Sequence, residues 1–374
     1  MHVVICGGGV IGAACAYALS QRSVSVTLIE RWRVGGCASG KSGGFLARDW
    51  CDGSPLAPLA HRSFELHKTW AEELGNPYGY RMVDTFSTAM SRCASESVAP
   101  HAGAPLPADW LSPAATDRRQ LGDTSTTAAL DPAAFTQTLV RAAQDRGAKL
   151  RIAAVTGLAS HADRAPSIEL ESGETIAADA IILALGPWSV LAAAWIPLAP
   201  IYGLKGHSII YRPETALPAE AIFAELQDAR GELHMPEIVS RADGTVYVCG
   251  RPGTGALPVD PSRVLPEEGG CAQLHDIAVR LVPSLASAEI IAEQACFRPV
   301  TADGLPLIGP IDSCPDVYLA TGHSVWGMLN APATAEALAE RLLDGAAKHI
   351  DLATFAPSRL APLDLREVDV RASS

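Results

Sequence analysis

The opening run Val3-Val4-Ile5-Cys6-Gly7-Gly8-Gly9-Val10-Ile11-Gly12 leaves this chain very few backbone paths. His2 to Cys6 reads as a buried strand. Ala13 to Gln21 reads as a helix with small Ala14 and Ala18 on one face, and Val24 to Ile29 as a second strand that ends at Glu30. Strand, glycine turn, helix and strand make a βαβ unit. Each glycine of the GxGxxG pattern has its own reason. Gly7 makes the tight turn, Gly9 lets the backbone approach a pyrophosphate, and Gly12 lets the helix pack on the sheet. The helix start, Val10 and Ile11 included, offers unpaired N–H groups and a positive dipole end to phosphates. Glu30 lies 18 residues after Gly12, placed to accept hydrogen bonds from a ribose, with Arg31 next to it. An acid there disfavours NADP, but the motif does not separate NAD from FAD.

The bulk properties narrow the class. With 374 residues the chain has room for two joined domains. The composition, 48% hydrophobic and 19% charged, is that of a globular protein. No run of about 18 apolar residues escapes polar interruption, so no membrane span is expected. No basic leader precedes the first strand, so no signal peptide is expected either. The nine cysteines show no CxxC pair and no metal-ligand spacing, which favours reduced thiols and a cytoplasmic setting. A formal charge of −12 argues against nucleic acid as a partner.

Further elements follow from caps and periodicity. Ser54-Pro55 predicts a helix start, with Leu59, Leu66, Trp70 and Leu74 at helical spacing and Gly75 as the stop. Residues 81–121 are weaker, with proline-rich turns over 100–113. Asp131-Pro132 opens another helix that Gly147 closes. Leu150 to Val155, Ser167 to Glu171 and Ala180 to Leu185 read as strands. Residues 201–296 read as a mainly antiparallel sheet with one helix near Leu274 to Leu281. Val317 to Thr321 returns to a buried strand, and Ala333 to Leu343 is a terminal helix. The residues after 350 read as an extended polar tail.

Three further tracts carry a family resemblance. Ala38-Ser39-Gly40-Lys41-Ser42-Gly43-Gly44-Phe45-Leu46 resembles the second cofactor loop of the D-amino-acid oxidase family, which includes glycine oxidase and sarcosine oxidase. Ile181 to Ser189, with Gly186 and Trp188, resembles the strand and turn that reach the flavin nucleotide in that family. Cys296-Phe297-Arg298-Pro299 through Gly309, and Gly322-His323-Ser324-Val325-Trp326-Gly327-Met328, resemble its C-terminal signature. The likeness spans about residues 1–345. The tracts Gly44 to Trp50 and Gly203 to Ser208 look closest to a poorly characterised oxidoreductase branch.

The resemblance implies an α/β fold: a Rossmann-like FAD-binding domain from 1–80, 128–198 and 297–350, interleaved with an α+β substrate domain, built on a large antiparallel sheet, from 81–127 and 199–296. It implies FAD as cofactor, held at Gly7, Gly9, Val10, Ile11, Gly12, Glu30 and Arg31, and at Ser39, Ser42, Gly43, Gly44, Phe45 and Leu46. Val155, Gly186, Trp188, Arg298 and the residues Gly322 to Met328 complete that set. It implies oxidation of the C–N bond of a small amine or amino acid, with O2 or another acceptor reoxidising the flavin. Arg298 is the expected carboxylate grip. His323 and Arg48 are the other catalytic candidates. His61, Lys205 and His207 lie in segments expected near the site. Cys296 matches the cysteine that bonds the flavin covalently in monomeric sarcosine oxidases, although non-covalent FAD is the rule among relatives. The alternatives are a tailoring oxidase or an NAD(P)H-consuming monooxygenase acting on a larger substrate, a flavin-bound protein without turnover, and an NAD-dependent dehydrogenase. No second GxGxxG supports the monooxygenase.

Overall fold

The N-terminal unit forms as its glycines dictate: strand His2–Cys6, helix Val10–Ser20 and strand Ser25–Glu30. The computed structural model describes residues 1–90, 110–161, 164–228 and 231–365, so much of the proline-rich stretch expected at 100–113 lies outside the described residues. The first strand sits inside a six-stranded sheet, ordered 307–311, 314–321, 180–183, 2–6, 25–30 and 149–152. All its pairings are parallel except the antiparallel edge hairpin made by Leu307–Ile311 and Cys314–Thr321. Val3, Val4, Ile5 and Cys6 are fully buried, as expected of a strand covered on both faces. Helices Val10–Ser20, Ala57–Glu73, Pro132–Asp145 and Gly327–Leu343 pack their apolar residues into one core on one face. A small antiparallel sheet of 155–161, 164–170 and 175–177 covers the other face, where Ile168 and Leu170 meet Val4 and Cys6.

The second large sheet is ordered 289–300, 202–212, 246–252, 237–240, 220–227, 84–90 and 116–122. It is antiparallel apart from the parallel pairing of 220–227 with 84–90. Alternation along its strands decides what each face does. Ile209, Val248, Ile238, Ile222 and Phe86 lie opposite one another in register and pack under helix Gly270–Leu281. The neighbouring row of Ser208, Cys249, Glu237, Phe223 and Ser87 therefore points the opposite way.

Several expectations meet corrections. The helix expected from Ser54-Pro55 begins at Ala57 with Leu56 as its cap, because Ser54 instead turns back to accept from the Leu56 N–H at 3.2 Å. Asp131 does cap its helix, accepting from the Ala134 N–H at 2.9 Å with Pro132 in the first turn. Strand Glu289–Val300 runs unbroken across residues 296 and 297, so Arg298 and Pro299 end a strand of the large sheet. The expected tail is docked as far as residue 365. Asp351 caps a 3-10 turn, Phe355 is buried, and the Arg359 Nε donates to Asp303 at 2.6 Å.

The terminal helix starts at Gly327, six residues before its expected start, and contains Pro332. Proline has no N–H to return to the carbonyl of Met328, a cost that ordinarily breaks a helix. Here the buried Nε2 of His67 lies 3.0 Å from the Met328 oxygen and 3.1 Å from that of Leu329, so it donates to both. Ser63 accepts from the Ala333 N–H at 2.9 Å. Two side chains of helix Ala57–Glu73 thus stand in for the ladder that Pro332 interrupts. Burial holds His67 neutral, with its pKa lowered to about 4.

His67→Leu leaves the two carbonyls unpaired in the core and should destabilise the protein by about 1–3 kcal/mol, read from urea unfolding at pH 7. The sign of the pH dependence follows from the lowered pKa. Below about 6.5 the unfolded chain takes up a proton at His67 that the folded chain refuses until about pH 4. His67 therefore contributes less stability as pH falls through that window, and the gap between wild type and variant should narrow there.

Candidate active site

The two large sheets face each other across a cleft of about 1170 Å³. Its phosphate end is built by backbone with no room for side chains. A Cβ on Gly7, whose φ is +109°, would sit 2.3 Å from the Ala184 oxygen, and one on Gly12 would sit 1.9 Å from the Gly7 oxygen. Gly7, Gly9, Val10 and Ile11 line the cleft, while Gly12 lies behind them as the packing glycine. No side chain caps helix Val10–Ser20 at Gly9, which leaves that N-terminus to a ligand. Ser39 accepts from the Val10 N–H at 2.8 Å and so ties the second loop to the helix start.

Glu30 lines the cleft and also organises it. One carboxylate oxygen accepts from the Gly8 N–H at 2.7 Å and the other from the Trp32 N–H at 2.8 Å. Burial is the largest influence on Glu30 and raises its pKa, opposed by these backbone donors. Each oxygen keeps a second lone pair for a ribose hydroxyl. Arg31 is alongside, and Arg33, Gly36 and Cys37, which the sequence did not single out, join the same wall. Arg33 stacks on Trp32 with its guanidinium 4.1 Å from the ring centroid.

The second loop runs along the cleft through Ser39, Ser42, Gly43, Gly44 and Phe45. Gly44 has φ +76°, and a Cβ there would meet the Leu130 oxygen at 2.0 Å. Leu46 is fully buried beside the loop and does not reach the cleft. The Ser42 hydroxyl is buried and has no hydrogen-bond partner among the described residues. Val155 and Gly186 line the nucleotide side. Trp188 also lines it, with its Nε1 donating to the Pro258 oxygen at 2.7 Å.

At the other end lies the loop after strand Cys314–Thr321. His323, Ser324, Val325, Trp326, Gly327 and Met328 all line the cleft. Gly322 turns the chain at φ +79° just outside it. Ser324 holds φ +50°, a left-handed value uncommon for a residue with a side chain. The His323 Nε2 lies 3.0 Å from the Thr334 hydroxyl, and its buried Nδ1 has no partner. Burial lowers its pKa to about 3, so it is a neutral imidazole at pH 7 and not a resident cation.

Arg298 enters from the end of its strand and lines the cleft. It passes over Gly206, where its Nη2 lies 3.4 Å from the place a Cβ would take. No hydrogen bond or salt bridge occupies its guanidinium among the described residues. Of the other polar candidates, only His207 lines the cleft, and it is engaged there. Its Nδ1 faces the Arg251 oxygen at 3.1 Å, and its Nε2 accepts from the Glu267 N–H at 3.0 Å. Arg48 lies outside the lining, its backbone N–H bonded to Thr126. His61 pairs with Asp52 at 2.6 Å and Lys205 with Glu267 at 3.4 Å, both away from the cleft. These contacts give the His61 and Lys205 side chains local partners, and Arg48 lies outside the lining.

The sequence reading missed the floor of the cleft. Ser208, Cys249, Glu237 and Phe223 lie on it, with Tyr247 next to Gly43, where a Cβ on the glycine would touch the ring at 3.1 Å. The alternation of Val246-Tyr247-Val248-Cys249 could have flagged Tyr247 and Cys249. Nothing local could have flagged Glu237, because only register brings it opposite Cys249.

A parallel sheet with a glycine-turned helix start, facing an antiparallel floor across one cleft, is the arrangement of a flavin-dependent oxidoreductase. The profile of the family described as DAO, FAD dependent oxidoreductase, matches residues 2–341, and the chain belongs to that family. FAD is its cofactor, and the uncapped helix start, the side-chain-free turns and the unpartnered Ser42 hydroxyl fit it. The chain is 29% identical to an inferred oxidoreductase of Schizosaccharomyces pombe, over 94% of this chain and 97% of the relative. It is 28% identical to glycine oxidase of Geobacillus kaustophilus, over 96% of each. The crystal structure of that glycine oxidase superposes with a TM-score of 0.79 at 26% identity, covering 96% of this chain and 98% of that one.

Cys296 lines the cleft, and burial raises its pKa against the pull of Arg298 and Lys41. A protonated thiol is a poor nucleophile. Acid precipitation of the purified protein should therefore leave the yellow flavin in the supernatant, whereas a yellow pellet would establish a covalent link. Gly12→Val, which drives a side chain into the Gly7 carbonyl, should abolish FAD retention, read as the flavin-to-protein absorbance ratio.

Proposed function

We propose that this oxidoreductase oxidises the C–N bond of a small amino acid. The observation that carries the reading is Arg298: a guanidinium on the cleft wall, next to the floor, with no protein partner. Arg presents a planar fork that matches a carboxylate in two parallel hydrogen bonds. Gly206 supports the reading because it leaves that fork free to lie across strand Tyr202–Arg212.

Bound FAD supplies the hydride acceptor, and the redox chemistry is its own. Arg298 anchors the carboxylate and so fixes where the substrate Cα–H lies relative to the cofactor loop at Ser42 to Phe45. Helix Gly327–Leu343 starts at the same end of the cleft with no side-chain cap, and a helix start suits accumulating negative charge. Phe45, Trp50 and Phe223 pack together at 4.7–5.1 Å between centroids and make one side of the site apolar. The imine product hydrolyses in water, and O2 serves as the acceptor that completes turnover. The likeness to glycine oxidase supports an amino acid as the substrate class.

A larger substrate is the second reading, favoured by the rim. Leu121, Leu233 and Met235 line the mouth of the cleft and are 41%, 58% and 64% exposed. Exposed apolar side chains at a cleft mouth suit a substrate with an apolar portion.

Arg298→Ala should raise KM for an amino-acid substrate by roughly 100-fold, the cost of a lost charge-assisted pair, and Arg298→Lys should recover part of it. Steady-state kinetics on a substrate found by an amino-acid panel would measure this, with flavin content as the control. An unchanged KM in Arg298→Ala would remove the carboxylate reading.

A further inference from the structure

We propose that Glu237 receives the cationic amine of the substrate, so that Arg298 and Glu237 together select a zwitterionic amino acid over a plain carboxylate or hydroxy acid. The inference rests on the amino-acid reading above and adds the second pole of the substrate.

The sheet places Glu237 on the floor of the cleft. Strand Glu237–Ser240 pairs with Val246–Pro252 on one side and Glu220–Gln227 on the other, so Glu237 lies opposite both Cys249 and Phe223. Its neighbour Ile238 points into the core under helix Gly270–Leu281, which fixes the opposite direction for Glu237. Glu237, Cys249, Phe223 and Arg298 all line the same cleft.

Its partners do not match its charge. Among the described residues, the one hydrogen bond to its side chain comes from the Cys249 thiol, with Sγ 3.6 Å from Oε2. A thiol is a weak donor. On the other side is the ring of Phe223, which offers none. No salt bridge to Glu237 exists among the described residues, although the Arg298 charge is near enough to favour its ionised form. Burial dominates and raises its pKa. Glu237 is half-buried on the cleft floor, and a partly desolvated carboxylate with only a thiol donor is ordinarily paired with a cation. The unmatched group here faces a ligand cleft, which makes a cationic ligand the natural partner.

Arg298 supplies the complementary end. It reaches over the neighbouring strand Tyr202–Arg212 at Gly206. The two charges share the cleft, with the Cys249 thiol between their strands, and form no hydrogen bond to each other among the described residues. A ligand with a carboxylate and an ammonium on adjacent atoms neutralises both. One with only a carboxylate leaves Glu237 without a cation and adds a like charge beside it.

The test uses three isosteres that cannot lose a hydrogen from the carbon bearing the polar group. They are 2-aminoisobutyrate, pivalate (a methyl in place of the ammonium) and tert-butylamine (a methyl in place of the carboxylate). Their dissociation constants are measured by calorimetry on the FAD-loaded enzyme, without turnover. The wild type should bind 2-aminoisobutyrate roughly 10- to 100-fold more tightly than pivalate, the range for a hydrogen bond to a charged group. Glu237→Gln should erase that preference and leave pivalate binding equal or tighter, while Arg298→Met should weaken both carboxylates and spare tert-butylamine. Equal wild-type affinity for 2-aminoisobutyrate and pivalate overturns the role of Glu237 and needs no variant that folds. So does a preference that survives in Glu237→Gln. Binding of tert-butylamine alone keeps Glu237 and removes the carboxylate reading of Arg298. Failure of all three ligands to bind overturns both.

Discussion

Three backbone segments meet at Gly7 with no space for a single Cβ, and the rest of the structure is arranged around that contact. The Ala184 carbonyl, at the end of the parallel strand Ala180–Leu183, presses on Gly7, and Gly7 in turn presses on Gly12. The helix start, the second strand with Glu30 and the returning strand are thereby held at one point. From that point the Ser189 hydroxyl donates to Thr321 at 3.1 Å, and Thr321 donates to the Gly186 oxygen at 3.0 Å. The loop that ends in His323 is thus tied to the turn beside the nucleotide. Residues nearly the whole chain apart share one cleft because glycine lets their backbones touch.

The second sheet solves a different problem. It must hide one face in a core and offer the other to a polar ligand, and strict alternation achieves both at once. Ile209, Val248, Ile238 and Ile222 are fully buried on the helix side, while Ser208, Cys249, Glu237 and Phe223 lie on the cleft side of the same strands. A slip of one residue in any of these strands would exchange the two sets. The beta-branched residues facing helix Gly270–Leu281 therefore fix the chemistry of the opposite face as surely as the polar residues themselves.

What the chain revealed before folding follows from the range of the forces involved. The GxGxxG turn and the Asp131-Pro132 cap act within a few residues, and both were legible. The mainly antiparallel region was legible from its alternation, but its register was not, so Glu237 escaped notice. The early start of helix Gly327–Leu343 was not legible because the cost of Pro332 is met from distant sequence, by Ser63 and His67 on another helix. The polar segment after 350 misled because a single buried Phe355 and the Arg359–Asp303 pair suffice to dock it on strand Leu307–Ile311. His61 and Lys205 looked available in sequence, but each finds a nearer partner once folded, and Arg48 falls outside the cleft lining.

Among the described residues, buried polar atoms without a partner occur both away from the cleft, as at Tyr78, Arg241 and Asn330, and on its wall. The Ser42 hydroxyl, the Arg251 Nε and the His323 Nδ1 are buried without a partner, and all three residues line it. Each would cost about 1–3 kcal/mol if it stayed unpaired in a dry core. Their retention on the wall between the two sheets is the expected signature of a site that exchanges stability of the free protein for prearranged contacts to a bound group. Arg298 and Glu237 are half-buried in the same cleft, and full charges cost more to desolvate than a hydroxyl or an imidazole. An enzyme that keeps two opposite charges near each other, and out of each other's hydrogen-bonding reach, keeps room between them for a substrate that carries both.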